Sequence, residues 1–277
     1  MRAVTIRAGD LVVADRDDPV PGTGQVLVAV RAAGLNNADL MQLRGQYPAP
    51  PGSPQDIPGL ELAGEVTALG DGATRFRIGD RVMAVVGGGG QAELAVVHER
   101  MAMPVPPGLS WEEAGAVPET WTTAHDALFT QCGLALGERV CVSAGAGGVG
   151  TAAVRLAVAA GARVTATVRN AEMRAGVARL GASAVDPEVM VDEGPFDVIL
   201  ELIGAPNLGD DLAAMATGGR IVVIGLGGGS QATVDLSTLM ARRGRIYSST
   251  LRARPMEEKA RAARAMESQV LPLLGVS

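Results

Sequence analysis

Over roughly the first 110 residues, apolar and polar positions alternate in short runs. Residues 25–30, Gln-Val-Leu-Val-Ala-Val, alternate with a period of two, and residues 61–66, 81–86 and 92–97 are similar. Pro-Gly and Gly-Asp turns separate them. Short strands at this spacing predict a small β-barrel. Residues 1–6 read directly into a further short strand. Residues 47–58 are crowded with proline, which fixes φ and lacks an N–H donor. They predict an exposed or cleft-lining loop, neither helix nor central strand. The run Gly87-Gly88-Gly89-Gly90 reads as a flexible link between strands.

From about residue 119 the period changes to alternating strands and helices. Strands at 139–143 and 162–168 flank a helix at 151–160. Helices at 171–180, 208–215, 236–242 and 255–274 then alternate with strands at 196–202, 220–224 and 245–250. This order predicts a doubly wound parallel sheet with its ligand at the carboxyl ends of the strands. The expected organisation is a barrel domain at 1–118, the parallel-sheet domain at 119–254, and a connecting helix at 255–277 leading back towards the barrel.

Gly145-Ala146-Gly147-Gly148-Val149-Gly150 lies where the first strand of that second domain turns into its helix. In a G-x-G-x-x-G turn the glycines let backbone approach a pyrophosphate, and the helix N-terminus adds free N–H groups and positive dipole. The placement predicts a dinucleotide site. At the end of the second strand, an NAD-selective protein carries Asp or Glu for the ribose 2′-hydroxyl. This chain has Arg169 there, followed by Asn170, with Arg174 one helical turn further on. Guanidinium pairs with a phosphate dianion, so NADPH is expected over NADH.

Composition narrows the chemistry. The 277 residues are ample for two domains; 47% are hydrophobic but only 3% aromatic, so the cores must be built from Ala, Val, Leu and Ile. A net charge of −6 argues against a nucleic-acid or anionic-membrane surface. No apolar run reaches membrane-spanning length, and no leader pattern opens the chain, so a cytoplasmic protein is expected. Cys132 and Cys141 are the only thiols, His98 and His125 the only histidines, and Lys259 the only lysine. Disulfide scaffold, structural zinc cluster, Walker A loop, Schiff-base lysine and Tyr-x-x-x-Lys pair all lack their residues, and no G-x-S-x-G elbow is present. Such a chain needs a cofactor that carries its own reaction.

Six blocks, in order along the chain, resemble one family: residues 33–39 (Ala-Gly-Leu-Asn-Asn-Ala-Asp), 45–48 (Gly-Gln-Tyr-Pro), 58–64 (Pro-Gly-Leu-Glu-Leu-Ala-Gly), 79–82 (Gly-Asp-Arg-Val), 144–150, and 249–255 (Ser-Thr-Leu-Arg-Ala-Arg-Pro). The chain is identified as resembling the medium-chain dehydrogenase/reductases, within them the zinc-free NADPH:quinone oxidoreductases. The resemblance implies a GroES-like β-barrel followed by a Rossmann sheet. Zinc-dependent relatives place a cysteine where this chain has Asn36 and a histidine where it has Leu60, and their four-cysteine lobe is missing, so no metal is expected.

Carried over by resemblance, Asn36, Asp39 and Tyr47 line the cleft beside the nicotinamide, and Thr123 contacts the cofactor. Gly147, Gly148 and Val149 hold the pyrophosphate. Ile203-Gly204 and Gly225-Leu226 flank the ribose and carboxamide. Bland readings stand beside these: Asn36 and Asp39 as turn residues, Thr123 as a helix cap, Ile203 and Leu226 as core, and Arg169 as a solvated surface arginine. Beside that family the linker between Leu180 and Phe196 is short, so an abbreviated third strand and helix are expected. Family members continue for several tens of residues beyond the equivalent of Ser277, with a segment that helps wall the cleft.

The leading reading is metal-free hydride transfer from NADPH to a quinone or an activated C=C bond. A 2-enoyl thioester reductase shares the layout, and an NADPH-binding sensor or structural protein without turnover is a third reading. The apolar last strand at 245–250, with residues 231–235 able to add an edge, predicts a homodimer through the second domain.

Overall fold

The computed structural model describes residues 1–275; the last two residues of the expected C-terminal segment lie outside them. The chain divides into two units. One is Met1–Thr122 with the segment from Leu251 onward, and the other is Thr123–Thr250.

In the first unit, β1 (Arg2–Arg7) and β2 (Asp10–Asp15) form an antiparallel hairpin. A separate antiparallel sheet runs in the order β6-β3-β4-β5-β7, from β3 (Gln25–Ala32), β4 (Glu61–Leu69), β5 (Arg81–Val85), β6 (Leu94–His98) and β7 (Ala102–Pro104). The period of two has its expected cause. Val26 and Val28 are fully buried with half-buried neighbours between them, and they pack with Leu62, Val66, Val82 and Ala84. Short helices α1 (Asn37–Leu43) and α2 (Trp111–Gly115) belong to the same unit, and the unit boundary falls within α3 (Pro118–His125).

The four glycines at 87–90 are a packed segment, which corrects the flexible link expected from composition. A Cβ on Gly88 would lie 2.8 Å from the Pro54 carbonyl oxygen, and one on Gly90 2.7 Å from that of Glu61. The Gly89 and Gly90 amides donate to the Ile57 and Gly59 carbonyls at 2.8 and 3.1 Å. Close approach of the proline loop excludes side chains there.

In the second unit all six strands are parallel, in the order β10-β9-β8-β11-β12-β13. They are β8 (Arg139–Val142), β9 (Arg163–Thr167), β10 (Ser183–Val185), β11 (Phe196–Glu201), β12 (Met215–Val223) and β13 (Arg245–Ser248). Numbered within the unit, this is the 3-2-1-4-5-6 order of a Rossmann sheet. Helices α4 (Gly148–Ala159), α5 (Ala171–Ala178), α6 (Leu208–Ala214) and α7 (Leu236–Arg242) alternate with the strands. On one side Phe196, Ile199, Leu212, Met215 and Ile221 form the core.

Three expectations need adjustment. The third strand, β10, is as short as the linker implied, but β12 begins five residues early, at Met215. Residues 231–235 form no strand: Asp235 turns its carboxylate onto the Ser237 and Thr238 amides and caps α7. The helix expected at 255–274 is α8 (Met256–Ala265) alone, followed by a π-helical turn at Met266–Val270 and a 3-10 turn at Leu271–Leu273. Pro272, which has no N–H to donate, interrupts the ladder.

Candidate functional site

The second unit gathers its expected residues at the carboxyl ends of the strands. β8 ends into the glycine turn, and Gly147 caps α4 in extended conformation. Gly148, Val149 and Gly150 are therefore the first helical residues, whose N–H groups have no carbonyl one turn earlier to bond. The glycines are demanded by contact. A Cβ on Gly145 would lie 2.7 Å from that of Ala166, and one on Gly150 would lie 2.4 Å from the Ala144 carbonyl oxygen. Strand, turn and helix are pressed together, leaving an open row of amides. This cradle fits the pyrophosphate of a dinucleotide.

The loops after β11 and β12 are zipped into one surface. Gly228 N–H donates to the Ile203 carbonyl at 2.8 Å and Ala205 N–H to that of Gly229 at 3.0 Å. A Cβ on Gly225 would lie 1.9 Å from the Leu202 carbonyl oxygen, and one on Gly204 3.1 Å from Leu226 Cα. Ile203, Gly204, Gly225 and Leu226 are thus brought together, and Leu226 is exposed. Beneath them the Glu201 carboxylate, fully buried, accepts the Gly204 N–H at 2.6 Å, the Ile203 N–H, and the Asn207 amide at 3.1 Å.

At the end of β9 the three polar residues have different surroundings. The guanidinium of Arg169 is exposed and makes no hydrogen bond or ion pair among the described residues. Asn170 caps α5, its side-chain oxygen accepting the Glu172 N–H at 3.0 Å. Arg174 is committed to the Val168 carbonyl, at 2.8 Å, and to the Asp186 carboxylate. Backbone donation from Glu188, with Arg174 beside it, holds the Asp186 carboxyl below its usual range.

The first unit holds a polar cluster at the start of β4. Asn36 N–H and Gly59 N–H donate to the two Asp39 oxygens at 2.8 and 2.9 Å, so Asp39 ties the start of α1 to the turn before β4. Asn36 Nδ2 donates to Glu61 Oε1 at 2.8 Å, and Glu119 N–H to Glu61 Oε2 at the same distance. Glu119 Oε2 is buried without a partner. Burial raises both glutamic acids; the Glu61 carboxyl raises Glu119 further, while the Glu119 N–H and Asn36 hydrogen bonds partly offset the rise at Glu61, to which Asp39 adds. Asn36 is spent on Glu61, and Leu60 is 1% exposed in the apolar core. These residues do not fit a zinc ion. Among the described residues, no group of three or more His, Cys, Asp and Glu side chains is arranged to hold a metal.

Tyr47, half-buried on the proline loop, lies under the guanidinium of Arg252. Arg252 also donates to the Tyr47 and Gly87 carbonyls and to Gln42 Oε1. The Tyr47 hydroxyl has no partner among the described residues. Thr123 lies half-buried on α3, at the first position of the second unit.

Glu61, Glu119, Arg252 and Glu201 were not singled out from the sequence. Two signals were available: Glu61 and Arg252 lie inside the family blocks 58–64 and 249–255, and Glu61 and Glu201 are charges inside apolar runs, Leu60-Glu61-Leu62 and Leu200-Glu201-Leu202.

A GroES-like barrel sheet and a Rossmann sheet with this glycine turn define a two-domain dehydrogenase or reductase. The family model of the alcohol dehydrogenase GroES-like domain matches residues 22–107, and that of the zinc-binding dehydrogenases matches residues 148–268. A quinone oxidoreductase from Homo sapiens is 32% identical over 286 residues, covering 97% of this chain and 85% of that protein. The solved quinone oxidoreductase of Pseudomonas syringae pv. tomato DC3000 is 27% identical with a TM-score of 0.86, over 99% of this chain and 88% of that one. An alcohol dehydrogenase superfamily protein from Novosphingobium aromaticivorans, 28% identical, has a TM-score of 0.81 over 99% of this chain and 83% of that one. The chain belongs to the medium-chain dehydrogenase/reductase family and is an oxidoreductase that depends on a nicotinamide cofactor.

Proposed function

We propose that the protein is an NADPH-dependent reductase of quinones or other activated double bonds. The observation that carries the choice of NADPH is the unpartnered guanidinium of Arg169 at the end of β9, where the fingerprint places the adenosine ribose. Gly148, Val149 and Gly150 offer amides to the pyrophosphate, and the zipped loops bearing Ile203-Gly204 and Gly225-Leu226 flank the nicotinamide half. Bound NADPH supplies the hydride. The acceptor is already electron-poor, so orientation is the main contribution asked of the protein. Tyr47 offers its free hydroxyl to the oxygen on which charge develops. Asn36 and Asp39 border the acceptor, with Asp39 fixing the backbone that carries Asn36.

The quinone as acceptor rests on the likeness to the human and Pseudomonas quinone oxidoreductases. NADPH oxidation measured over 1,4-benzoquinone, simple enones and enoyl thioesters tests the reading. Turnover highest with quinones and enones supports it, and activity with enoyl thioesters alone replaces it with the thioester reductase. No oxidation of NADPH with any of them leaves a binding protein without turnover.

The working form is a homodimer paired through β13. Among the described residues that strand has a neighbour on one side only, and Leu236 and Met240 on α7, the helix that precedes it, are 66% and 76% exposed. An unpaired apolar sheet edge is an aggregation hazard that a two-fold partner strand removes.

A further inference from the structure

Asp211, on α6, is 1% exposed and is hydrogen-bonded through its carboxyl to Glu201. Two carboxylates are both pure acceptors, so a bond between them requires one proton. The donors around them decide its place. Glu201 already accepts three N–H groups, those of Ile203, Gly204 and Asn207, on its two oxygens, so the donor between the two carboxyls falls to Asp211. Asp211 receives none that offsets ionisation, and its Oδ2 is buried without a partner.

The surroundings add only neutral or acidic groups. A cavity of about 160 Å³ reaches Asp211 from the carboxyl ends of β8 and β9, with Ser143 and Thr167 in its wall. Cys141 from β8, Glu188 from the turn before β11 and Asp210 from α6 itself line it too. Burial and Asp211 itself hold the Cys141 thiol well above its usual range, so it stays neutral. Arginines on the packed elements are engaged elsewhere: Arg242 of α7 donates to the Ala213 carbonyl, and Arg220 of β12 pairs with Glu138. Among the described residues no cation balances a second charge.

We propose that Asp211 is a positioning residue for the dinucleotide site: as a neutral acid it donates to Glu201 and keeps that carboxylate under the Ile203 and Gly204 amides. The proposal rests on the reading of those two residues as a wall of the nicotinamide pocket. Burial first, and then the charge of Glu201, push the Asp211 carboxyl up to about 8, so the device works at neutral pH and is lost above it. Loss of the proton removes the bond and sets two buried negative charges against each other. Glu201 then no longer holds the turn.

The test is the dissociation constant of NADPH between pH 7 and 9, read from the fluorescence of the bound reduced nicotinamide. Phosphate charge on the ligand is constant in this range, its second ionisation lying near 6. The wild-type protein should weaken by about tenfold across the interval, as binding to one protonation state of a group titrating near 8 requires. Asp211→Asn, which still donates a hydrogen bond and cannot ionise, should bind near the wild-type level at pH 7 and hold that affinity to pH 9. Asp211→Leu should bind weakly at both. An alkaline loss that persists in Asp211→Asn, or wild-type affinity indifferent to pH, overturns the proposal while leaving the cofactor assignment intact. A purely structural role would move the thermal midpoint of Asp211→Asn and leave the slope of affinity against pH unchanged, and that result overturns it as well. A protein that binds neither NADPH nor NADH at any pH sinks the assignment and the proposal together.

Discussion

The guanidinium of Arg252 lies 4.8 Å from the centroid of the Tyr47 ring, and the same group donates to the Tyr47 carbonyl at 2.8 Å. One residue therefore fixes both the backbone and the ring plane of the other. Its remaining donors reach the Gly87 carbonyl at 2.9 Å and Gln42 Oε1 at 2.6 Å. The proline loop, the glycine segment and α1 are held by one side chain that is itself 4% exposed.

Arg252→Met should destabilise the first unit by about 3 kcal/mol, because one buried and two half-buried acceptors lose a charged donor at once. Arg252→Lys should recover less than half of this, since an ammonium cannot span the fork of a guanidinium. Denaturant unfolding of the purified variants reads both. Full recovery by lysine would show that only the charge matters.

Tyr47→Phe removes the free hydroxyl and leaves the ring under Arg252. Turnover with quinones should fall less than about tenfold, roughly 1.4 kcal/mol, because a hydroquinone anion is stable and takes its proton from water. Enones, whose carbanion needs protonation, should lose more. Equal large losses with both acceptors would mean that the hydroxyl positions the substrate.

Arg169→Ala should raise the Michaelis constant for NADPH at least about tenfold, the scale of one charge-assisted bond to phosphate, and barely change that for NADH. Steady-state kinetics with the two cofactors decides. Equal effects on both would reduce Arg169 to a surface residue.

The Glu61 and Glu119 carboxyls are raised by burial from 4.5 to about 7 and about 8. The native state therefore keeps protons that the unfolded chain has released. Stability from this source is complete below about pH 4.5 and declines as pH rises towards 8, by at most about 1.4 kcal/mol per pH unit for each proton retained. Glu119→Gln should flatten that decline, which thermal midpoints from pH 5 to 8.5 would show. An unchanged slope means the protons lie elsewhere.

Sedimentation at micromolar concentration should give twice the mass of the chain, and Ile246→Glu on β13 should return it to one. A monomer in the wild type ends the edge-pairing model.

The strands were legible in the sequence because burial on one face imposes a period of two. The Rossmann unit was legible because its turn needs glycine at three fixed offsets. What escaped was set by partners distant along the chain. Nothing in residues 87–90 announces that Pro54 and Gly59 press on them, so four glycines read as slack. Arg169 stood at the ribose position with Arg174 expected as a second cation one turn on, until Asp186, just after β10, claimed Arg174. The carboxyl pairs Glu61–Glu119 and Glu201–Asp211 lie 58 and 10 residues apart, and only the fold gives each its proton. Asn36 and Asp39 were found as polar residues in a motif, while the backbone amides that Asp39 clamps were invisible.

The discontinuity of the first unit has a bearing on biosynthesis. Arg252 and the carbonyl of Tyr47 are 205 positions apart. A ribosome therefore releases the proline loop long before its clasp exists. The Rossmann unit, uninterrupted from Thr123 to Thr250, emerges whole in the interval and can fold on its own contacts. The proline loop stays unlatched until Arg252 appears. Nascent chains stalled before Arg252 would carry a finished Rossmann fold and a proline loop still open to proteases and chaperones.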